Sequence, residues 1–392
     1  MFVRGVWTLI SLFGAAGPQM RLNLSYARGL RTLHPRENIM TQTALVVGAS
    51  GIVGSAITQL LLDNQWQVAA LSRRPSQVPG VIPVAADLQD PASVQQALAE
   101  LKPTHVFITT WSRQATEAEN IRVNAAMVRN VLDAVRPAGS VQHVALVTGL
   151  KHYLGPFENY GKGSLPQTPF REEQGRLDVE NFYYAQEDEV FTAAEKDGFT
   201  WSVHRPHTVT GVAVGNAMNM ATTLAVYASI CKHTGRPFVF PGSRVQWDSL
   251  TDMTDARQLA KQQLWAATTP AAANQAFNIT NGDVFRWKWM WGQIADYFGL
   301  TPADFPATPS PLERQMADDQ AAWNQIAAEH GLKETDIHRL ASPWHTDADL
   351  GRPIEVVTDM SKSRLLGFTA YQASDRAFFA VFDQLRAARL IP

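Results

Sequence analysis

The chain has 392 residues, of which 45% are hydrophobic and 18% are charged, and its formal net charge at pH 7 is −2. This composition is typical of a globular protein with a large core, and its nearly balanced charge gives no reason to expect a nucleic acid or a membrane surface as partner. A single cysteine, Cys231, excludes an intramolecular disulfide and a cysteine-rich metal site, and it fits a reducing compartment.

Residues 1–39 lack the pattern of a folded domain. Arg4 precedes an apolar segment at 6–16 that is similar to a short signal sequence and is too short to span a bilayer. Met40, in contrast, stands directly before the first predicted strand. We therefore interpret residues 1–39 as a disordered extension upstream of the native start and expect a cytoplasmic protein. A cleaved export signal is the alternative.

The first strand leads into a glycine-rich turn. Apolar residues 44–47 are followed by Gly48, Gly51 and Gly54 at three-residue spacing, and an apolar helical pattern begins at once. In such a unit the glycines let the backbone approach a pyrophosphate, and the helix N-terminus supplies free N–H groups to hold it. The stretch predicts a dinucleotide site, with a tight turn that binds no ligand as the alternative.

The end of the second strand indicates which dinucleotide is bound. Residues 67–71 are apolar and lead into Ser72, Arg73 and Arg74, where an NAD site usually carries Asp or Glu about 20 residues after the glycines. Guanidinium groups match the charge and geometry of a 2′-phosphate. The position favours NADP over the alternative of two solvated arginines.

Strand and helix then alternate regularly. Further strands are predicted at 81–86, 105–109, 144–147 and 201–204, and helices at 91–101, 118–135 and 181–196. This alternation is typical of an α/β fold with a doubly wound parallel sheet, in which ligands bind at the carboxyl ends of the strands. Asp87 and Leu88 after the third strand, and Thr110 and Trp111 after the fourth, are therefore expected to border the cofactor.

The second half of the chain has a different pattern. Helices are predicted at 218–232, 255–267, 287–298 and 312–330, with a short strand at 238–240. We predict an NADP-binding Rossmann domain at 40–210 and a smaller, mixed α/β substrate lobe at 211–392, from which residues 274–280 return to the sheet.

A reductase needs a group that stabilises the negative charge developing on a carbonyl oxygen. Short-chain dehydrogenases usually carry Tyr-x-x-x-Lys for this purpose, one helical turn apart. That spacing is absent here, because Glu187 and Asp188 stand four residues after Tyr183 and Tyr184. A lysine is available upstream, since Lys151 follows the fifth strand at its carboxyl end.

The segments around these residues carry a specific resemblance. Val147-Thr-Gly-Leu-Lys-His-Tyr153 and Asn181-Phe-Tyr-Tyr-Ala-Gln-Glu-Asp188 are similar to the signature of the progesterone 5β-reductase/iridoid synthase-like (PRISE) family, an atypical branch of the extended short-chain dehydrogenases/reductases. The resemblance covers residues 43–392, and its further segments are 201–206, 230–233, 247–248, 277–289 and 360–368.

The resemblance implies an extended short-chain dehydrogenase fold, NADPH as cofactor, and 1,4-reduction of activated alkenes such as enones and enals. It places the catalytic pair at Tyr183 and Lys151. Hydride from NADPH would reach the β-carbon of a small conjugated carbonyl substrate, Tyr183 would stabilise the enolate, and Lys151 would support its electrostatics.

The predicted cofactor contacts come from the glycine-rich turn after the first strand (the glycine turn), from the turn that carries Arg73 and Arg74 (the arginine turn), and from the ends of later strands. They are Gly48, Ser50, Gly51, Ile52, Val53, Gly54, Ser72, Arg73, Arg74, Asp87, Leu88, Thr110, Trp111, Thr148, Pro206, Thr208 and Val209. The predicted substrate contacts are Trp111, Phe157, Trp344 and His345. Plant members of the family carry Trp-Trp-Phe where this chain has residues 343–346. We therefore do not expect this chain to share their steroid or iridoid substrates.

Two other classes of function remain open from the sequence. One is a carbonyl (1,2) reductase or a sugar-nucleotide epimerase on the same fold, and the other is a non-catalytic NADP sensor. Epimerases normally keep Tyr-x-x-x-Lys, and a sensor does not need a tyrosine–lysine pair. We expect no metal, nucleic-acid or membrane partner, and a homodimer is an open alternative for assembly.

Overall fold

A computed structural model describes residues 42–156, 167–215 and 218–392. Its strands are β1 (Thr43–Val47), β2 (Gln67–Ser72), β3 (Val81–Ala85), β4 (His105–Ile108), β5 (His143–Val147), β6 (Thr200–Pro206), β7 (Val209–Thr210), β8 (Thr254–Asp255) and β9 (Gln275–Ile279). Seven of them form a parallel sheet in the order β3-β2-β1-β4-β5-β6-β9, and β7 pairs with β8. The predicted parallel sheet is confirmed, and its last strand, β9, pairs with β6.

The helices of the first half are α1 (Ile52–Asp63), α2 (Pro91–Leu98), α3 (Glu117–Val135), α4 (Lys151–Leu154) and α5 (Phe182–Asp197). Those of the second half are α6 (Met220–Thr234), α7 (Arg244–Asp248), α8 (Ala256–Thr268), α9 (Trp287–Phe298), α10 (Leu312–Gln315), α11 (Gln320–His330), α12 (Ile337–Leu340), α13 (Pro343–Leu350), α14 (Ser361–Leu365) and α15 (Ser374–Ala387).

Both faces of the large sheet are covered because side chains alternate along each strand. Leu45 and Val47 of β1 belong to a core that also includes residues of α2, α3 and α5. Ala44 and Val46 point to the opposite face, where Ile57 of α1 lies in the same cluster as a residue of α8. The sheet is therefore doubly wound, as predicted, and its carboxyl edge is left for a ligand.

The second half builds a separate, mainly helical core. Its largest fully buried side chains include Trp287 and Trp291 of α9, Trp323 of α11 and Phe382 of α15. The ring of Trp291 stacks on Phe238 with 4.0 Å between centroids. The domain boundary at 210/211 stays a prediction.

Two predicted elements of this half are wrong. The helix expected over 312–330 is two helices, which are separated by a turn at 316–319. Arg236 stabilises this turn, because its guanidinium donates to the Gln315 carbonyl at the end of α10 (3.1 Å) and pairs with Asp319 just before α11. The strand expected at 238–240 is limited to one isolated bridge, from Phe238 to Pro302.

Within the described ranges, the helices include none that is both long and apolar enough to cross a membrane. The same residues contain no group of three or more His, Cys, Asp or Glu side chains that could hold a metal ion.

Candidate active site

A cleft of about 570 Å³ lies along the carboxyl edge of the sheet. Its walls include the turns after β1, β2, β3, β4, β5 and β6, Tyr183 on α5, His345 and Asp349 on α13, and Arg352 two residues beyond that helix. The predicted cofactor contacts that line the cleft are Gly48, Ser50, Gly51, Ile52, Val53, Ser72, Arg73, Arg74, Asp87, Leu88, Thr110, Trp111, Thr148, Pro206, Thr208 and Val209.

The turn between β1 and α1 is shaped by its glycines. Gly48 has φ +88°, a left-handed conformation, and a Cβ there would lie 2.7 Å from Cβ of Thr110. The Gly51 amide donates to the Gly48 carbonyl at 3.0 Å, and no side chain caps α1. The first turn of α1 thus presents backbone N–H groups to the cleft, as a phosphate site requires.

Gly54 differs from the other two glycines because it does not line the cleft. A Cβ on Gly54 would lie 2.1 Å from the Gly48 carbonyl oxygen, so the helix packs directly against the turn. Gly54 therefore shapes the site indirectly, because it lets α1 pack against the glycine turn.

The arginine turn stands at one end of the cleft. Arg73 and Arg74 are exposed, and the Ser72 hydroxyl donates to the Arg74 carbonyl at 2.5 Å, which fixes the turn after β2. No acidic residue stands at the end of β2, where it would bond a ribose 2′-hydroxyl. Asp87 faces the cleft from the end of β3, and its carboxylate accepts the Gln89 amide at 3.0 Å.

Lys151 begins α4 directly after β5, and its side chain is 3% exposed. Its Nζ lies 2.6 Å from Oε2 of Glu117 on α3, and 4.4 Å from the centroid of the Phe182 ring. The backbone carbonyl of Lys151 accepts Nδ2–H of Asn181 at 2.9 Å. The lysine is thus anchored through both its ammonium and its backbone.

Tyr183 stands in the first turn of α5. The helix is capped by Asn181, whose Oδ1 accepts the Tyr183 amide at 3.1 Å. A Cβ on Gly149 would lie 3.2 Å from the Tyr183 hydroxyl, so this hydroxyl lies against the turn that carries Lys151. Tyr183 and Lys151 line the same cleft.

The neighbouring residues of the two motifs are structural. The Tyr184 hydroxyl donates to the His152 carbonyl at 2.6 Å and accepts the Leu177 amide at 3.0 Å. Burial, followed by the charge of Arg205, lowers the pKa of His152 to about 3, so its ring stays neutral. His204 is also fully buried, and burial lowers its pKa to about 4.

A polar chain forms the wall after β6. His207 Nδ1 lies 2.8 Å from Asp252, and its Nε2 lies 2.7 Å from Nη1 of Arg352. Arg352 also pairs with Asp349, whose other oxygen accepts the Thr208 hydroxyl at 2.8 Å. Burial alone would raise the pKa of the Asp349 carboxyl. The nearby Arg352, and after it His345, lower this pKa by more, so that it lies below its usual value.

The predicted substrate contacts fall into three groups. Trp111 and His345 line the cleft, and Trp111 stacks on Phe182 with 5.0 Å between centroids. Trp344 is not among the lining residues, and Arg113 lies over its ring at 4.3 Å. Phe157 lies outside the described residues.

Residues 84–392 match the PRISE-like Rossmann-fold domain. The chain belongs to the PRISE-like family. An (S)-8-oxocitronellyl enol synthase of Camptotheca acuminata is 37% identical over 363 residues, which cover 89% of this chain and 93% of that protein. A 3-oxo-Delta(4,5)-steroid 5-beta-reductase of Arabidopsis thaliana has the same identity and the same coverage of both chains.

The fold of this PRISE-like protein also occurs in more distant structures. The UDP-glucose 4-epimerase of Thermus thermophilus, in complex with NAD, superposes with a TM-score of 0.61 at 18% identity, over 88% of this chain and 100% of that chain. At this identity the likeness concerns the fold alone. The extended short-chain dehydrogenase fold and the family resemblance predicted from sequence are confirmed.

Sequence reasoning missed several residues of this PRISE-like site. Glu117 contacts Lys151 from 34 positions away, and no local pattern indicates that pairing. Asp349 and Arg352 stand four and seven residues after the predicted His345, so helical spacing could have placed them on the same face. His207 carried no signal beyond its position after β6.

Proposed function

We propose that this protein is an NADPH-dependent reductase that saturates activated C=C bonds by 1,4-addition to a small conjugated carbonyl compound. Tyr183 stabilises the enolate through its hydroxyl, and Lys151 supports that role electrostatically. The observation that carries the proposal is that both side chains line the cleft that also contains the glycine turn and the arginine turn. The two relatives, one of them a reductase of an enone, support the reaction class.

The residues of the cleft fit a dinucleotide. Gly48 leaves no room for a side chain, and the start of α1 offers uncapped amides for a pyrophosphate. Arg73 and Arg74 would hold a 2′-phosphate, and Asp87 would meet the adenine end. NADPH, when bound, supplies the hydride.

The chain's own residues stabilise the enolate, which becomes the saturated ketone when its α-carbon takes up a proton. In a 1,4-reduction, negative charge develops on the carbonyl oxygen, and a neutral phenol stabilises it by donating a hydrogen bond. Tyr183 is held in place by the Asn181 cap and the adjoining Gly149 turn. The ammonium of Lys151, buried beside this turn, adds a positive charge where the dielectric is low.

The polar side chains of the cleft wall after β6, together with His345 beside Asp349, affect which substrate fits the site. Burial lowers the pKa of His345, so its imidazole is neutral and offers one donor and one acceptor. Plant relatives place a phenylalanine in this region. We therefore expect a substrate with a polar group near the reacting carbonyl system in place of a steroid or an iridoid. The cytoplasmic location and the homodimer stay predictions.

The reaction type is tested by incubating the full-length protein with NADPH and enones such as 2-cyclohexenone and progesterone. Nicotinamide absorbance is followed and the products are identified. The proposal requires a saturated ketone. An allylic alcohol would instead establish a carbonyl reductase, and tight NADPH binding with no turnover of any enone or enal would favour a sensor.

Cofactor choice is tested at the arginine turn. Replacing both Arg73 and Arg74 by Ala should raise the Kd of NADPH and leave that of NADH unchanged, because only NADPH carries the 2′-phosphate. A hydrogen bond to a charged group contributes about 1.5–3 kcal/mol, which corresponds to a loss of about 10- to 150-fold. Fluorescence titration gives both constants, and the exposed Arg376→Ala is the matched control. Equal losses for both cofactors would contradict the assignment.

A further inference from the structure

Glu117 joins the two elements that carry the proposed catalytic pair. Its Oε2 accepts a hydrogen bond from Lys151 Nζ at 2.6 Å, and its Oε1 accepts the backbone amide of Phe182 at 2.8 Å. Phe182 is the first residue of α5 and directly precedes Tyr183. One carboxylate therefore ties the lysine turn to the helix that bears the tyrosine.

The carboxylate is itself held from its own helix. The Thr116 side chain caps α3 by accepting the Glu119 amide at 3.2 Å, and Asn120 Nδ2 donates to Oε2 of Glu117 at 3.3 Å. Glu117 is 14% exposed and does not line the cleft. It therefore acts on the reaction through Lys151.

Other ionisable groups on the neighbouring elements are engaged elsewhere. His152 on α4 is neutral and packs against two tyrosine rings. Glu187 on α5 forms ion pairs with Arg176 and Arg205. Within the described part of the chain, Glu117 forms an ion pair with Lys151, with its Oε2 at 2.6 Å from Nζ.

On the cleft wall after β6, the carboxylates are paired with neighbouring residues of the same wall. Asp252 is paired with His207, and Asp349 is paired with Arg352. On the Lys151 side, the Glu117 carboxylate is likewise paired with the Lys151 ammonium.

We propose that Glu117 is a positioning residue that fixes Lys151 and the start of α5 relative to each other and balances the lysine charge, so that Tyr183 remains a neutral hydrogen-bond donor. The inference rests on the proposed function of Tyr183 and Lys151. An unbalanced ammonium would favour the phenolate, which accepts hydrogen bonds and cannot stabilise an enolate oxygen.

The decisive variant is Glu117→Gln. Glutamine can keep its one oxygen for the Phe182 amide, but it then presents an uncharged NH₂ group to Lys151. We expect kcat for enone reduction to fall by roughly 10- to 100-fold, as small displacements of catalytic groups do. The alkaline limb of the pH–rate profile should move to lower pH, and the Kd of NADPH should stay unchanged.

Glu119→Gln is the matched control, because Glu119 is exposed in the same first turn of α3. Glu117→Asp keeps the charge but is one methylene shorter, so it should restore the position of the alkaline limb with only part of kcat. It also provides a second variant if Glu117→Gln does not fold, which thermal unfolding would reveal.

A second readout does not depend on turnover. Trace acetylation with acetic anhydride at a series of pH values, read by mass spectrometry, measures how readily Lys151 Nζ loses its proton. Glu117→Gln should make Lys151 reactive at lower pH than in wild type. An unchanged labelling profile with an unchanged pH–rate profile would overturn the role of Glu117. If no enone is reduced, the proposed function fails, and the labelling alone decides whether Glu117 controls Lys151.

Discussion

Replacing Tyr183 by Phe should lower kcat for enone reduction by about 10²–10³-fold, the usual loss when one donor to a developing oxyanion is removed. The ring and its packing on Phe182 would remain, with 4.4 Å between the two centroids. Because only the hydroxyl is lost, the Kd of NADPH should not change. Stopped-flow absorbance at the nicotinamide band measures the hydride step directly.

Tyr184→Phe is the matched control for this experiment. Tyr184 is 7% exposed, and its hydroxyl bonds two backbone groups, the His152 carbonyl and the Leu177 amide. Leaving buried polar groups unsatisfied costs about 1–3 kcal/mol each, so this variant should lose stability while its kcat changes little. If Tyr184→Phe loses kcat and Tyr183→Phe does not, the wrong tyrosine has been assigned.

The sheet could be predicted from the sequence because its signals are local. Buried strands such as β1 are short apolar runs, and the helices that cover them begin at recognisable caps such as Asp90 and Thr116. The helix over 312–330 was wrong because the turn that interrupts it is held by Arg236, which bonds Gln315 and Asp319 from 79 and 83 residues away. Apolar periodicity cannot report a contact of that range.

In the candidate site, too, local motifs could be predicted from the sequence and long-range contacts could not. Tyr183 and Lys151 could be proposed because they stand in motifs that resemble a known family, although the familiar spacing is absent. Glu117 and Asp252 could not, since each acts through a partner far along the chain, Lys151 and His207. Polar residues that position others leave no periodic pattern, and only the folded chain brings them together.

The second prediction with a large expected effect concerns Gly54 in α1. Gly54→Ala should destabilise the protein by about 3 kcal/mol, toward the upper end of the range for forcing extra atoms into a packed site. The new Cβ would lie 2.1 Å from the Gly48 carbonyl oxygen and 2.8 Å from Cα of Ala49, both backbone atoms that cannot rotate away. Urea denaturation measures the loss of stability.

The same variant should bind NADPH more weakly, because α1 must move away from the turn that would hold the pyrophosphate. Gly292→Ala is the matched control: it lies inside α9, where an added Cβ meets no atom within 4 Å. That change should stabilise the protein by about 0.5–1 kcal/mol, the ordinary helical preference for Ala over Gly. Stability equal to wild type in Gly54→Ala would mean that α1 does not pack against the glycine turn as described. If Gly54→Ala lost stability but kept its NADPH affinity, the turn would hold its shape without the helix, and the glycine would serve folding alone.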